Sequence, residues 1–356
     1  MDPVSLAELT VDDVRCFAHT ALEFHPALNL VVGPNGSGKT TLLEAVFLLG
    51  RGRSFRTRSS ERLIRHGQDR LVVFGRTGDT PARALGIQVS RVDGTRARLN
   101  GTAVGALTDL TQALPVQVID PGVHKLVEEG GYRRRRWLDW LVFHVEPSYV
   151  DHWLRYTRAL RQRNAALKSQ PGQASVWNAE LSRLGEQIAA ARGRVLELLL
   201  PHWHSAVAAL ADLPVDLRYA RGWPADLPLL ESLEASFARD QVRGVTHSGP
   251  HRADVLVRLG GRPAREVLSR GQQKLIAIAM TLAQLSLLQQ LEHPAATLLL
   301  DDPAAELDRE RLSRFIERIV SLRCQLIVTS LQPEFDAFGI PDRVFHVEQG
   351  RARQVV

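Results

Sequence analysis

The stretch that decides how this chain folds is "VVGPNGSGKTTLLEAV", Val31 to Val46. Before the glycines, "ALNLVV" (Ala27–Val32) reads as a short buried strand. After them, Leu42, Leu43, Val46, Phe47 and Leu49 fall at helical spacing. Between strand and helix, Gly33, Gly38, Lys39 and Thr40 satisfy G-x-x-x-x-G-K-[ST]. Glycine lets the backbone curl so that successive N–H groups, here from Asn35, Gly36, Ser37 and Gly38 through Thr41, point at phosphate oxygens. Lys39 then reaches the β and γ phosphates of ATP, and the Thr40 hydroxyl takes one position on Mg2+. A plain glycine turn between strand and helix would not need Lys and Thr at those two places.

A phosphate loop that works on ATP needs a metal-holding partner, and "TLLLDD" (Thr297–Asp302) supplies one: an apolar strand ending in two carboxylates. Asp301 is expected to hold Mg2+ through water and Asp302 to polarise the attacking water as the catalytic base, alongside Lys39. Gln117 in "LPVQVID" (Leu114–Asp120) is a second candidate near the metal, against the plainer reading of an edge residue on a strand.

The segment "LSRGQQK" (Leu268–Lys274) stands far along the chain yet is similar to the signature of ABC-type ATPases, where a serine hydroxyl and glycine N–H groups at a helix start bind phosphate. Ser269, Gly271 and Gln272 match, and Arg270 replaces a glycine. Taken alone, Ser269 is a helix N-cap. In ABC-type ATPases the signature of one subunit closes over the ATP held by another, so the two distant pieces need not meet within one molecule. "AELD" resembles the accompanying D-loop, with Asp308 placed to cross the dimer interface.

Around these motifs the texture changes twice. "DRLVVFGRT", "ARALGIQVSR" and "TRARLNG" are short strands separated by turns, an antiparallel lobe beside the loop. From Gly122, "SYVDHWLRYTRALRQRNAALKSQ" and "VWNAELSRLGEQIAAARGRVLELLLPHWHSAVAALADL" read as two long helices joined by a turn. The expected fold is thus α/β: an ABC/SMC-type P-loop ATPase head, a mixed sheet with an antiparallel lobe, and an inserted helical arm. The divisions fall at 1–121 for the first part of the head, 122–243 for the arm, and 244–356 for the rest of the head.

Length and charge agree with this. The chain has 356 residues, 44% hydrophobic and 24% charged, enough for two domains with a sizeable core. A net charge of +6 favours an acidic partner such as DNA. Cys16 and Cys324 are too few for a disulfide framework, which points to a reducing cytoplasm. The acidic N-terminus has no secretory pattern. The most apolar window, from Leu275 to Leu291, is interrupted by Thr281, Gln284, Ser286, Gln289 and Gln290, as befits a buried helix and not a membrane span. Candidate DNA contacts are the arginines of "YRRRRW" (Tyr132–Trp137), Arg155, Arg158 and Arg161, and Arg51, Arg53, Arg56 and Arg58, each weighed against a solvated face or internal salt bridges. None is singled out. His247 and His251, like His202 and His204, lack a completing ligand and read as structural.

In order and spacing, "DVRCF", the P-loop stretch, "SFRTRSSERLIRHG", "RRRRWLD", "HVEPSYV", "GPHR", "LSRGQQK" and "LLLDDPAAELD" resemble the blocks of the RecF family, the SMC-like DNA repair ATPases of bacteria. The resemblance implies ATP and Mg2+, an ATP-dependent homodimer, and binding to double-stranded and gapped DNA. It also implies a role beside RecR and RecO in placing RecA at single-strand gaps and stalled forks, and it sets Arg15 near the adenine. Ala253 and the turn Pro303–Ala304–Ala305 depart from that family's usual pattern. An ABC transporter subunit would carry Glu at position 302 and His near Ser330, and an SMC-type chromosome organiser would carry a far longer coiled coil. Because Asp302 reaches one methylene less far than Glu, slow hydrolysis stimulated by DNA is expected.

Overall fold

Apolar residues that return to one face build the first hairpin. Leu9 and Val11 of β1 (Leu6–Val14) and Thr20 and Leu22 of β2 (Phe17–Glu23) all point inward. The computed structural model describes residues 4–105, 107–294, 296–303, 309–331 and 338–355. β3 (Leu28–Val32) leads through the glycine loop into α1 (Lys39–Arg51), buried all round from Thr41 to Gly50. β4 (Arg70–Thr77), β5 (Ala84–Ser90), β6 (Gly94–Leu99) and β7 (Thr102–Ala103) complete an antiparallel sheet of order β2-β1-β4-β5-β6-β7. After α2 (Thr108–Ala113) comes β8 (Val116–Ile119).

A largely helical segment follows: α3 (Lys125–Glu128), α4 (Gly131–Val145), α5 (Tyr149–Ser169), a 3-10 turn at Pro171–Trp177, and α6 (Asn178–Leu210). β9 (Val215–Ala220), α7 (Leu229–Ala235), α8 (Phe237–Arg243), β10 (Asp254–Leu259), β11 (Arg262–Pro263) and α9 (Ala264–Val267) precede α10 (Arg270–Gln290). The chain then returns with β12 (Thr297–Leu300), α11 (Arg309–Ser321), β13 (Gln325–Ser330), β14 (Arg343–Glu348) and β15 (Arg351–Gln354).

The second sheet has the order β15-β14-β3-β13-β12-β8, parallel from β14 to β8. Its central strands β12 and β13 are buried at every residue, the pattern of parallel strands covered on both faces. Helix α1 supplies Leu42, Leu43, Val46 and Leu49 to a core that also takes Leu9 and Val73 from the antiparallel sheet and Leu299 and Ile327 from the parallel one.

Contacts divide the chain into two compact units, Met1–Val123 with Leu288–Val356, and His124–Leu287. The second break therefore falls at Leu287, not near residue 243. β10 pairs along its length with β9, and Gln284 on α10 donates to the Trp137 carbonyl (2.6 Å), so residues 244–287 pack with the arm. Inside this unit two fully buried arginines anchor a polar core. Arg163 donates to Asn178 Oδ1 (2.9 Å), Asp240 Oδ2 (2.8 Å) and Thr246 Oγ1 (2.7 Å), with Arg163 and Asp240 both at 0% side-chain exposure. Arg192 is held by Asp139 (2.7 and 3.0 Å) and by the Pro250 carbonyl (2.7 Å).

Candidate functional site

Strand order decides what meets at the C-terminal edge of the parallel sheet. β13 lies between β3 and β12, so the ends of these three strands open toward one another, the usual position for ligands in such sheets. Gly33, leaving β3, passes so close to β14 that a Cβ there would sit 2.1 Å from the Val347 carbonyl oxygen. Pro34, Asn35 and Gly36 are exposed, whereas Ser37, Lys39 and Thr41 are buried. Lys39 Nζ curls back and donates to the carbonyls of Gly33 (2.7 Å) and Pro34 (3.0 Å). Burial pulls its ammonium below the ordinary lysine value, opposed by the negative charges of Asp302 and Asp301. Among the described residues Ser37 Oγ has no hydrogen-bond partner, although it is buried.

At the start of α1, Thr40 Oγ1 donates to Asp301 Oδ1 (2.9 Å), joining residues 261 apart in sequence. Asp301 follows β12 directly and also receives a hydrogen bond from Thr329 Oγ1 on β13 (2.9 Å). Thr329 in turn accepts from the Asp302 backbone N–H (2.9 Å), and Asp302 takes a left-handed conformation, φ 50°. Burial raises the Asp302 carboxyl above the usual carboxylate range; Lys39 opposes the shift and Asp301 adds to it. A hydroxyl and a carboxylate meeting at the start of α1 form a hard-oxygen donor pair suited to Mg2+ carried by phosphates. Gln117 lies in the body of β8, opposite Leu298 and short of the strand end that leads to Asp301.

Two hairpin turns brace the loop. The β14–β15 turn presents Gly350 (φ 73°), whose N–H donates to the Ser37 carbonyl (3.1 Å). The β1–β2 turn, with Asp13 and Arg15 at φ 53° and 49°, sets Cys16 Sγ 4.0 Å from the same carbonyl. Beneath them Glu44 on α1 has a fully buried carboxylate. It pairs with Arg15 Nη2 (2.8 Å) and accepts from Ser54 Oγ (2.5 Å), with Arg56 Nη1 at 3.9 Å. Thr329, Glu44 and the first hairpin were not singled out in the sequence. The faint signals are the lone acid in an apolar helix and the inward spacing of Leu9 and Val11.

In the second unit Leu268–Lys274 opens α10. Ser269 Oγ accepts from the Gln272 N–H (3.3 Å) while Gln272 Oε1 accepts from the Ser269 N–H (2.9 Å), a reciprocal cap. Arg270 donates to His124 Nε2 (3.0 Å), and Ser269, Arg270 and Gly271 are exposed. Asp308 lies outside the described residues. Every arginine of the Tyr132–Trp137 run is engaged locally: Arg133 with Glu129, Arg134 with both oxygens of Asp254 (2.9 and 2.8 Å), Arg135 with the Ala253 carbonyl, and Arg136 with Tyr132. His251 spends both ring nitrogens, on Tyr156 OH (2.8 Å) and the Thr246 carbonyl (3.0 Å), and burial lowers its pKa to about 4.

Residues 5–353 match the model of the RecF/RecN/SMC N-terminal domain. The DNA replication and repair protein RecF of Pseudomonas aeruginosa strain PAO1 is 37% identical over 361 residues, covering 99% of this chain and 98% of its own. This chain belongs to the RecF family. RecF of Vibrio parahaemolyticus is 36% identical, over 97% of this chain and 98% of its own. Among solved structures, that of the recombination mediator protein RecF with ATP, in the RecFOR pathway, superposes with a TM-score of 0.89 at 24% identity, over 99% of this chain and 98% of that one. An Smc head domain derived from Pyrococcus furiosus, bound to the C-terminal domain of ScpA, gives 0.59 at 17%, over 99% and 96%. The fold is therefore that of RecF and SMC heads, an α/β ATPase head of ABC type.

Proposed function

We propose that this chain is an ATP-driven switch that acts on DNA in replication and recombinational repair. The observation that carries the reading is the Thr40–Asp301 contact, which joins the phosphate loop to the carboxylate strand as a metal site requires, in a chain of the RecF family. In this reading Asn35 to Thr41 cradle the phosphates of ATP, and Lys39 leaves the carbonyls of Gly33 and Pro34 to reach them. Thr40 and Asp301 hold Mg2+; Gln117, opposite Leu298 in the body of β8, would reach the ion only by a change in its side-chain position. When bound, the ion neutralises charge on the phosphate oxygens. Asp302 takes the proton of the attacking water; burial raises its proton affinity, which suits a base, while a reach one methylene shorter than that of Glu supports slow turnover.

The exposed Ser269, Arg270 and Gly271 and the half-buried Gln272 of one copy, with Asp308, close over the nucleotide held by a second copy, so ATP drives a homodimer that clamps duplex or gapped DNA. DNA in turn speeds hydrolysis. The RecF relatives support action beside RecR and RecO in promoting RecA loading. Light scattering with and without Mg2+-ATP tests this on the wild type, Lys39→Ala and Ser269→Arg. ATP is expected to double the mass of the wild type alone; three monomers in ATP, with DNA present or absent, would refute the composite site.

A further inference from the structure

Glu44 sits where three segments converge, and its carboxylate is entirely enclosed. A buried carboxylate must be paired, and the way this one is paired divides its partners between two functional elements. Arg15 Nη2 lies 2.8 Å from Oε2 and 3.1 Å from Oε1. Arg15 belongs to the turn whose next residue, Cys16, bears on the phosphate loop, where a Cβ on Gly38 would lie 2.8 Å from Cys16 Sγ. On its other side Glu44 Oε1 accepts from Ser54 Oγ, and that hydroxyl itself accepts from the N–H groups of Arg56 and Thr57 (3.0 Å each). The backbone of the loop 52–59 is thus pinned to Glu44 through a single serine. Arg56 Nη1 stands 3.9 Å from Oε2, too far for a direct hydrogen bond, with its side chain 48% exposed.

We propose that Glu44 is the positioning residue through which a polyanion bound at the arginine-bearing loop 52–59 acts on the phosphate loop, with Ser54 and Arg15 as its two arms. The inference rests on the reading of the chain as a DNA-regulated ATPase. A nucleic-acid phosphate approaching Arg56 and the exposed Arg58 competes with Glu44 for the guanidinium that is held most loosely. As Arg56 moves outward it pulls on the Ser54 hydrogen bonds. Glu44 then leans on Arg15, and the Arg15–Cys16 turn shifts against Ser37 and Gly38. No contact between nucleic acid and the phosphate loop is needed.

The test is steady-state ATP turnover of the full chain, with and without a blunt duplex DNA, for the wild type, Glu44→Gln and Ser54→Ala, with duplex affinity measured separately by fluorescence anisotropy. Glu44→Gln keeps the shape and removes the charge; Ser54→Ala cuts the loop arm and leaves the Arg15–Glu44 pair. Both are expected to keep DNA-free turnover and DNA affinity while stimulation by DNA, on the order of 10-fold for a coupling of ordinary size, falls to about twofold or less. A Glu44→Gln protein stimulated as strongly as wild type overturns the inference. So does one whose turnover drops by the same factor with and without DNA, because that marks a merely structural residue. If Glu44→Gln does not fold, Ser54→Ala decides alone by the same criteria. A wild type that DNA does not stimulate refutes the switch reading together with this coupling, whereas a stimulated wild type with equally stimulated variants refutes only the coupling.

Discussion

Asp302 carries its carboxylate on a left-handed backbone held by the Thr329 hydroxyl, and burial raises its proton affinity. A raised folded-state value means that the neutral carboxyl is the better-tolerated form. The contribution to stability is full below the ordinary carboxylate value and is lost as pH rises through the folded one, so at neutral pH the ionised group disfavours the fold. Asp302→Asn is therefore expected to raise the melting temperature of the nucleotide-free protein at pH 7 while lowering ATP turnover by about 10²- to 10⁴-fold. Calorimetry and a phosphate-release assay read the two effects. In the wild type, turnover is expected to fall as pH drops through a value above the ordinary carboxylate range, because the base must be ionised. A pH–rate profile with no acid limb above that range would contradict the assignment. The arginines show the opposite lesson at this scale. Arg134 and Arg135 look like a phosphate-binding run in the sequence, yet their guanidinium groups bond to Asp254 and Ala253. Charge is legible in a sequence, but the partner it has acquired is not.

Hairpins are the elements that hold the phosphate loop. Gly350 is required twice over: its φ of 73° suits glycine, and a Cβ would stand 2.1 Å from the Cys16 carbonyl oxygen. Gly350→Ala is expected to cost about 1–3 kcal/mol, measured by denaturant unfolding, and to weaken ATP binding, because the turn also holds the Ser37 carbonyl. The elements of the ATPase motif were readable from periodicity: a strand, a glycine loop and an apolar helix. The β1–β2 hairpin was not, because a bulge near Leu6 and Glu8 interrupts strict alternation and its acidic outer residues resemble a loop. Helix α6 runs unbroken through Pro201, where tertiary packing of Leu199 and Trp203, both at 0% exposure, outweighs the lost hydrogen bond.

For the molecule as a whole, the buried Arg163–Asp240 pair is a stability determinant of the His124–Leu287 unit. Arg163→Ala leaves Asp240 enclosed with His247 as its remaining ionisable partner and is expected to cost about 3–5 kcal/mol. All six tryptophans, from Trp137 to Trp223, lie in this unit, so intrinsic fluorescence follows its unfolding selectively. The fluorescence midpoint should fall markedly in urea; an unchanged midpoint would show the pair to be dispensable.

The sequence by itself determined the local chemistry: which residues form a phosphate loop, which strand ends in carboxylates, where the long helices run, and that a serine opens α10. Those features depend on neighbours a few positions away, through backbone propensity and side-chain period. Tertiary structure alone decided that Thr40 meets Asp301, that Thr329 bridges Asp301 and Asp302, that Glu44 is locked to Arg15 and Ser54, and that residues 244–287 pack with the arm. Each of these contacts follows from the order of strands in a sheet or from the path of a loop. That order is set by burying the whole apolar surface at once, a sum that no short window of sequence contains.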